Sequence, residues 1–275
     1  MKKTGLKAIK AIVLAGFLIL MLFPFYWLLI TSFKMPQEIH AEQITYFPKM
    51  LVLENYVKAF MQTKFQVYIK NSLFVTLISS AMILFSSITG GYALARYKFR
   101  FQKQLTILLI CSQMVPLITA IIPMFRLYGK WGLIDNLWSL ILSYTVANIP
   151  FCLITMSSFF KRIPKTLEEA AMIDGCTRLG AAVRVILPIT LPGVMAVFVF
   201  AFTGCWNEMF YSIMLINSEP NRTIPVGLMN FVQKTSVDWG QMCAAAAVTL
   251  IPVIIMFFAV QKYIVAGLTA GAVKE

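Results

Sequence analysis

The chain has 275 residues, of which 59% are hydrophobic and 13% are charged, and its formal net charge at pH 7 is +13. Soluble domains carry about 25% charged residues, so this composition excludes a water-soluble enzyme and favours a membrane protein. The positive charge is not a nucleic-acid footprint, because the basic residues lie beside the apolar segments.

The amino terminus consists of the basic sequence MKKTGLKAIK followed by an apolar run that ends near Phe33. This run is longer than the apolar core of a secretory signal and ends in Phe-Lys-Met-Pro instead of small residues, which predicts a retained first span. Because positively charged residues stay on the cytoplasmic side of a membrane, the lysines of this sequence predict a cytoplasmic amino terminus.

Six apolar segments approach or exceed the ~20 residues that cross a bilayer as a helix. They are predicted at residues 11–33, 71–95, 105–125, 138–160, 189–215 and 243–264. Lys and Arg cluster after the second and fourth segments, where the positive-inside rule predicts cytoplasm. An even number of spans then returns the carboxyl terminus to the cytoplasm. The predicted fold is an all-α polytopic protein of the cell membrane, a single transmembrane domain over residues 1–275.

Two polar segments are predicted to lie outside the cell, at residues 34–70 and 216–241. The first contains Pro36, Pro48 and the amphipathic stretch LENYVKAFMQT, which predicts short helices on the membrane surface. Its histidine, His40, is the only one in the chain, and the five cysteines show no paired spacing. Since isolated cysteines in apolar segments act as small hydrophobes, neither a metal site nor a disulfide is predicted.

Small residues recur near the end of the second span, where Ser86, Ser87, Gly90 and Gly91 predict close helix packing. Polar groups also occur inside later spans. These candidates for a translocation path are Gln113, Asn148, Trp206, Asn207 and Glu208. A polar residue beside a helix-breaking proline, or a carboxylate within a span, marks either a pathway or a packing contact between helices. The sequence leaves both interpretations open.

The charged stretch at residues 161–188, KRIPKTLEEAAMIDGCTRLGAAVRVILP, interrupts the apolar pattern. Thr166 followed by Glu169 predicts a capping box at the start of a helix, and Glu168 adds negative charge to its first turn. Gly175 suits the left-handed residue that ends a helix. A second helical run from residue 177 to 187 is predicted to end at Pro188.

This stretch also carries a family resemblance. Glu169-Ala170-Ala171, three residues, Gly175, nine residues and then Val185-Ile186-Leu187-Pro188 is similar to the EAA loop of ABC importer permeases, where Ile or Leu is usual at the Val185 position. Gly91-Tyr92-Ala93-Leu94-Ala95-Arg96, Trp206-Asn207-Glu208 and the tail at 261–274 resemble maltose-type sugar permeases. The resemblance extends from near residue 90 to the carboxyl end.

The resemblance implies that residues 161–188 form a cytoplasmic coupling loop, which docks on an ATP-hydrolysing subunit. The residues implied in this contact are Glu168, Glu169, Ala170, Ala171, Asp174 and Gly175. It further implies a second related permease, two ATPase subunits, an extracytoplasmic solute-binding protein and transport by alternating access. ATP and Mg²⁺ would be bound by the partner subunits, with no cofactor in this chain.

The absent motifs agree with a transport subunit. No G-x-x-x-x-G-K-[ST] phosphate loop, G-x-S-x-G elbow or H-E-x-x-H helix occurs, so ATP hydrolysis would need a separate polypeptide. A membrane enzyme would need a nucleophile or metal cluster, and a secondary transporter would show inverted repeats with broken helices. The predicted cargo is a sugar or oligosaccharide, and a polyol or glycerol-phosphate ester remains the alternative.

Overall fold

The computed structural model describes residues 2–61, 63–232 and 237–272, with the side chains of residues 7, 9–61, 63–232 and 237–263. Residues 233–236 of the predicted external loop, residues 273–274 of the tail and the Lys2 and Lys3 side chains lie outside this part. The described residues form fourteen α-helices and no β-strand beyond one isolated bridge, so the predicted all-α class is confirmed.

The first seven helices are α1 (Lys2–Ser32), α2 (Pro36–Ile39), α3 (Glu54–Met61), α4 (Phe65–Arg96), α5 (Gln102–Ser112), α6 (Leu117–Lys130) and α7 (Leu137–Arg162). The remaining seven are α8 (Lys165–Ile173), α9 (Arg178–Ala181), α10 (Leu187–Ile189), α11 (Leu191–Trp206), α12 (Phe210–Leu215), α13 (Ile224–Leu228) and α14 (Trp239–Ala272). A π-helical turn, Ala182–Ile186, joins α9 to α10.

Four described helices, α1, α4, α7 and α14, are long and apolar enough to cross a membrane. Two bent pairs bring the possible number of spans to six: α5 with α6, at 99°, and the helix at 178–189 with α11, at 75°. The third predicted span, at residues 105–125, is bent between α5 and α6, and Pro116 at this bend has an extended backbone and is the N-cap residue of α6. The fifth predicted span, at residues 189–215, is not one helix, since α11 ends at Trp206 and α12 covers Phe210–Leu215.

The chain divides into two compact units, which we call unit one (Met1–Gln66 and Gly227–Ile251) and unit two (Val67–Val226 and Pro252–Glu275). In unit one, the buried Asn55 of α3 donates Nδ2 hydrogen bonds to the carbonyls of Ser32, at 2.9 Å, and Lys34, at 2.8 Å. The first of these bonds satisfies an orphan carbonyl at the end of α1, and the second holds the chain that follows it. The short helices α2 and α3 confirm those predicted for residues 34–70.

The core of unit two lies among α4, α7, α11 and α12, where Ile83, Tyr144 and Val197 are buried. The predicted close packing at Gly90 and Gly91 is confirmed. A Cβ atom added at Gly91 would lie 2.9 Å from the backbone nitrogen of Ser157, and one at Gly90 would meet the flexible tip of a leucine side chain at 2.7 Å. Gly91 therefore lets the α4 backbone approach that of α7.

The carboxylate of Asp135 connects the loop before α7 to the loop after α12 by hydrogen bonds, both within unit two. Asp135 has a left-handed backbone (φ 59°), and its Oδ1 accepts hydrogen bonds from the backbone nitrogens of Asn217, at 3.0 Å, and Ser218, at 2.8 Å. Burial acts to raise the pKa of Asp135, but the hydrogen bonds from both residues outweigh it and hold that pKa below its ordinary value. The ionised form therefore stabilises the loop pair.

Candidate functional site

The first helix of the predicted coupling loop, residues 161–188, begins differently from the sequence prediction. Helix α8 starts at Lys165, and its N-cap residue is Pro164, without a side-chain capping bond. The predicted capping box between Thr166 and Glu169 is therefore wrong. Because the helix starts one residue before Thr166, this hydroxyl lies inside the first turn, where it cannot act as the N-cap acceptor.

The end of α8 follows the sequence prediction. Gly175 has a left-handed backbone, with φ at 91°. Its N–H donates to the Met172 carbonyl at 3.1 Å, and the Cys176 N–H donates to the Ala171 carbonyl at 3.0 Å. These two bonds form a Schellman motif, which satisfies the last carbonyls of the helix. The predicted role of Gly175 as helix terminator is confirmed.

The second arm of the loop is a helix with a wide turn. The Thr177 side chain caps α9 by accepting the Gly180 N–H at 3.1 Å. The helix then passes through the π turn and continues to Ile189, one residue beyond the predicted end at Pro188. Proline has no N–H to donate to the preceding turn, and the π turn accommodates this gap without ending the helix.

The six residues predicted to contact the ATPase do not share one face. Glu169, Ala170, Asp174 and Gly175 are exposed, whereas Glu168 and Ala171 are buried. The exposed surface also includes two large apolar side chains that the sequence analysis did not select, Ile173 (86% exposed) and Leu179 (75% exposed). Both side chains are therefore accessible to a partner protein.

The buried side chain of Glu168 is turned toward α4. Its Oε1 lies 2.5 Å from the Tyr92 hydroxyl, which donates to it, and its Oε2 lies 3.0 Å from Arg96 Nε. The contact with Arg96 is an ion pair and is not aligned as a hydrogen bond, since Nε has no hydrogen-bond acceptor among the described residues. Arg96 Nη1 also donates to the Ile163 carbonyl at 3.1 Å. Sequence spacing gave no sign of this cluster.

The fifth span breaks at residues 207–209, and Glu208 compensates for that break. Its Oε1 accepts hydrogen bonds from the backbone nitrogens of Phe210, at 2.9 Å, and Tyr211, at 3.2 Å, while Oε2 lies 3.1 Å from the Tyr211 nitrogen. The carboxylate thus satisfies the first N–H groups of α12, which have no partner within that helix.

The neighbours of Glu208 differ in exposure. Trp206 is 5% exposed and stacks on Phe202, with ring centroids 5.8 Å apart and an interplanar angle of 11°. Asn207 is exposed, and its Nδ2 donates to the Thr203 carbonyl at 3.0 Å. Of the three residues, Asn207 therefore presents the most accessible polar group.

The two remaining path candidates lie on different helices. Asn148 of α7 donates to the Tyr144 carbonyl at 2.8 Å, and its Oδ1 lies 3.2 Å from the position of a Cβ added at Gly204 of α11. It therefore lies near the broken part of the fifth span. Gln113 is exposed at the end of α5, where its Nε2 lies 3.5 Å from the Leu109 carbonyl.

Comparison with known protein families shows to which family this chain belongs. Residues 82–270, more than half of the chain, match the family model described as binding-protein-dependent transport system inner membrane component. The chain belongs to this family. The matched segment contains α5 to α12, the whole coupling loop and every path candidate, so this inner membrane component carries both parts of the predicted site within its family domain.

Curated relatives match almost the full length of the inner membrane component. It is 37% identical, over 92% of this chain and 89% of the relative, to the sulfoquinovosyl glycerol transport system permease protein SmoH of Agrobacterium fabrum. It is 32% identical, over 99% of this chain and 97% of the relative, to the trehalose/maltose transport system permease protein MalG of Thermococcus litoralis.

A solved structure shares the fold. A chain of a bacterial ABC transporter involved in the import of the acidic polysaccharide alginate superposes with a TM-score of 0.81, covering 96% of this chain and 98% of that chain. The sequence identity is 21%, so this likeness describes the fold alone. The predicted family, that of ABC importer permeases, is confirmed by the family match and the curated relatives.

Proposed function

We propose that this chain is the permease subunit of an ATP-driven ABC importer that moves a sugar or oligosaccharide into the cell. The observation that supports this most directly is the exposed helix–turn–helix at residues 165–189, within a chain of the inner membrane component family. The sugar cargo is supported by the relatives, because SmoH and MalG are named for a sugar glycoside and for disaccharides.

The chain works within a larger complex in this proposal. A second related permease completes the translocation path, two ATPase subunits bind the coupling loop, and a solute-binding protein delivers the cargo from outside. Glu169, Ala170, Asp174 and Gly175 form the ATPase contact together with the exposed Ile173. Closure of the ATPase dimer moves α8, and the path then opens outward by alternating access.

Co-purification and reconstitution test this function. The tagged chain is isolated from its own membranes, its partners are identified, and the complex is reconstituted into vesicles with the solute-binding protein. We expect uptake of labelled sugar that requires ATP and the binding protein. Uptake without an ATPase would instead indicate a secondary transporter. The ligand held by the binding protein distinguishes a sugar from a polyol or glycerol-phosphate ester.

The proposed topology places both termini in the cytoplasm. It is tested in a variant without the five native cysteines, in which single cysteines replace Asn217 in the loop before α13 or Arg100 in the loop after α4, both of which are exposed. A membrane-impermeant thiol reagent added to intact cells should label the first variant and should label the second only after the membrane is opened. The reverse pattern would contradict this orientation.

A further inference from the structure

Two adjacent carboxylates of the coupling helix have opposite surroundings. Glu169 is exposed on α8, whereas Glu168 is 6% exposed and is turned toward the end of α4. The family resemblance draws attention to Glu169, which belongs to the EAA pattern. Glu168 cannot contact an ATPase subunit in this arrangement, because its carboxylate is occupied inside the permease. It therefore needs a different explanation.

The surroundings of Glu168 connect three helices. Tyr92 and Arg96 lie one turn apart on α4, and together they contact both oxygens of the Glu168 carboxylate. Arg96 also donates to the carbonyl of Ile163, the residue that follows α7. The Tyr92 ring packs edge-on against Phe160 of α7, with ring centroids 5.6 Å apart. The side chains of α4 thus hold α8 and the end of α7 in one position.

A buried charged contact of this kind resists separation. The Arg96 and Glu168 side chains are only 5% and 7% exposed. Breaking their contact while they stay buried would leave two uncompensated charges, which is far less favourable than separating apolar side chains. The hydrogen bond from Tyr92 to this carboxylate is charge-assisted, which makes it stronger than a bond between neutral groups. The contact is therefore suited to transmit displacement between helices without slipping.

We propose that Glu168 is a positioning residue that fixes α8 to α4 through Tyr92 and Arg96, so that both helices move together during transport. Displacement of α8 by the ATPase then reaches the 32-residue helix α4 directly. We call this contact among Tyr92, Arg96 and Glu168 the joint. Without the joint, α8 can move with the ATPase while α4 does not, and ATP is hydrolysed without transport of cargo. This inference rests on the proposed function, since it assumes that an ATPase acts on α8.

The first test measures cargo moved per ATP hydrolysed in the reconstituted complex. Glu168→Gln keeps the shape but removes the charge, and Tyr92→Phe removes only the hydroxyl and keeps the ring packing. We expect each variant to keep its ATPase subunits and to lower the ratio about tenfold, the factor that corresponds to loss of one charge-assisted hydrogen bond. The double variant should lose less than the product of the two effects, because both act on one contact.

A matched control removes a charge outside residues 161–188. Lys103→Gln neutralises an exposed residue of α5, and it should leave the ratio unchanged. Wild-type ratios in both joint variants would overturn the proposal. So would a loss of ATPase and transport in parallel with an unchanged ratio, because that result would assign the contact a purely structural role.

A second measurement does not depend on disrupting the joint. In the variant without the five native cysteines, spin labels on cysteines that replace Thr166 of α8 and Phe85 of α4, both exposed, report the distance between the two helices. In the complex with wild-type Glu168, this distance should be the same without nucleotide and in the ATP-trapped state. A clear change between these states would overturn the proposal. ATP-dependent uptake by the same labelled complex shows separately whether the proposed function holds.

Discussion

Replacing Glu208 by alanine would remove the acceptor for the first N–H groups of α12. The Phe210 and Tyr211 nitrogens lie 2.9–3.2 Å from the carboxylate oxygens, so two charge-assisted bonds would be lost. Each such bond contributes about 1.5–3 kcal/mol. Because the exposed Asn207 lies beside the break, water can partly replace them, and we expect a loss near the lower limit, about 3 kcal/mol in total.

The glutamine variant separates two roles of this residue. Glu208→Gln keeps one carbonyl oxygen for the α12 backbone and removes the charge, so it should destabilise the complex by about half as much. Thermal unfolding of the purified complex measures stability, and the dependence of uptake on cargo concentration gives KM. We expect Glu208→Ala and Glu208→Gln to lower the unfolding temperature in that order, with no change in the KM of the complex that remains assembled.

Asn207→Ala provides the matched control. This change removes an exposed amide that donates to the carbonyl of Thr203, four residues earlier in the chain, so it should leave the unfolding temperature nearly unchanged. A Glu208→Gln complex with wild-type stability and an altered KM would refute the capping role. That result would instead place the carboxylate on the translocation path.

Three further predictions concern other parts of unit two. Gly91→Ala should lower the free energy of unfolding of the complex by about 1–3 kcal/mol, because the added methyl group meets the backbone nitrogen of Ser157. Gly90→Ala meets only a flexible side-chain tip and should destabilise the complex less, as measured by thermal unfolding of both variants. Gly175→Val should weaken ATPase binding or coupling, since its backbone has φ at 91°, and Gly175→Asn should be better tolerated; equal coupling in both variants would contradict this. The lowered pKa of Asp135 means that its stabilisation is complete above the ordinary Asp pKa of about 3.9 and is lost as pH falls through the lower folded-state value. Asp135→Asn, which tolerates the same backbone, should therefore be less stable at pH 7 and lose less stability on acidification, measured by unfolding across that range.

The sequence predicted those features that depend on local composition. Four spans, the charged helical hairpin within residues 161–188 and the helix end at Gly175 follow from hydropathy, charge and one glycine. The coupling role of this hairpin rests on the family resemblance and stays a prediction. The break at residues 207–209 could not be predicted in this way, because hydropathy averages over a window and the surrounding residues are apolar. The burial of Glu168 also could not be predicted from the sequence, because its partners on α4 are more than 70 positions away in the chain. Nothing in the local sequence distinguishes Glu168 from the adjacent Glu169.

The two candidate sites follow the same pattern, which narrows the choice of residues that contact partners or cargo. In the first site, side chains of the protein bind the Glu168 carboxylate, and the adjacent Glu169 is exposed. In the second site, backbone N–H groups bind the Glu208 carboxylate, and the adjacent Asn207 is exposed. A group that already satisfies buried donors would have to abandon them to bind a ligand, whereas an exposed group exchanges only water. Trp206 is subject to the same argument, because it is 5% exposed and its ring already stacks on Phe202. Contact with the ATPase is thus expected first at Glu169, and contact with cargo first at Asn207.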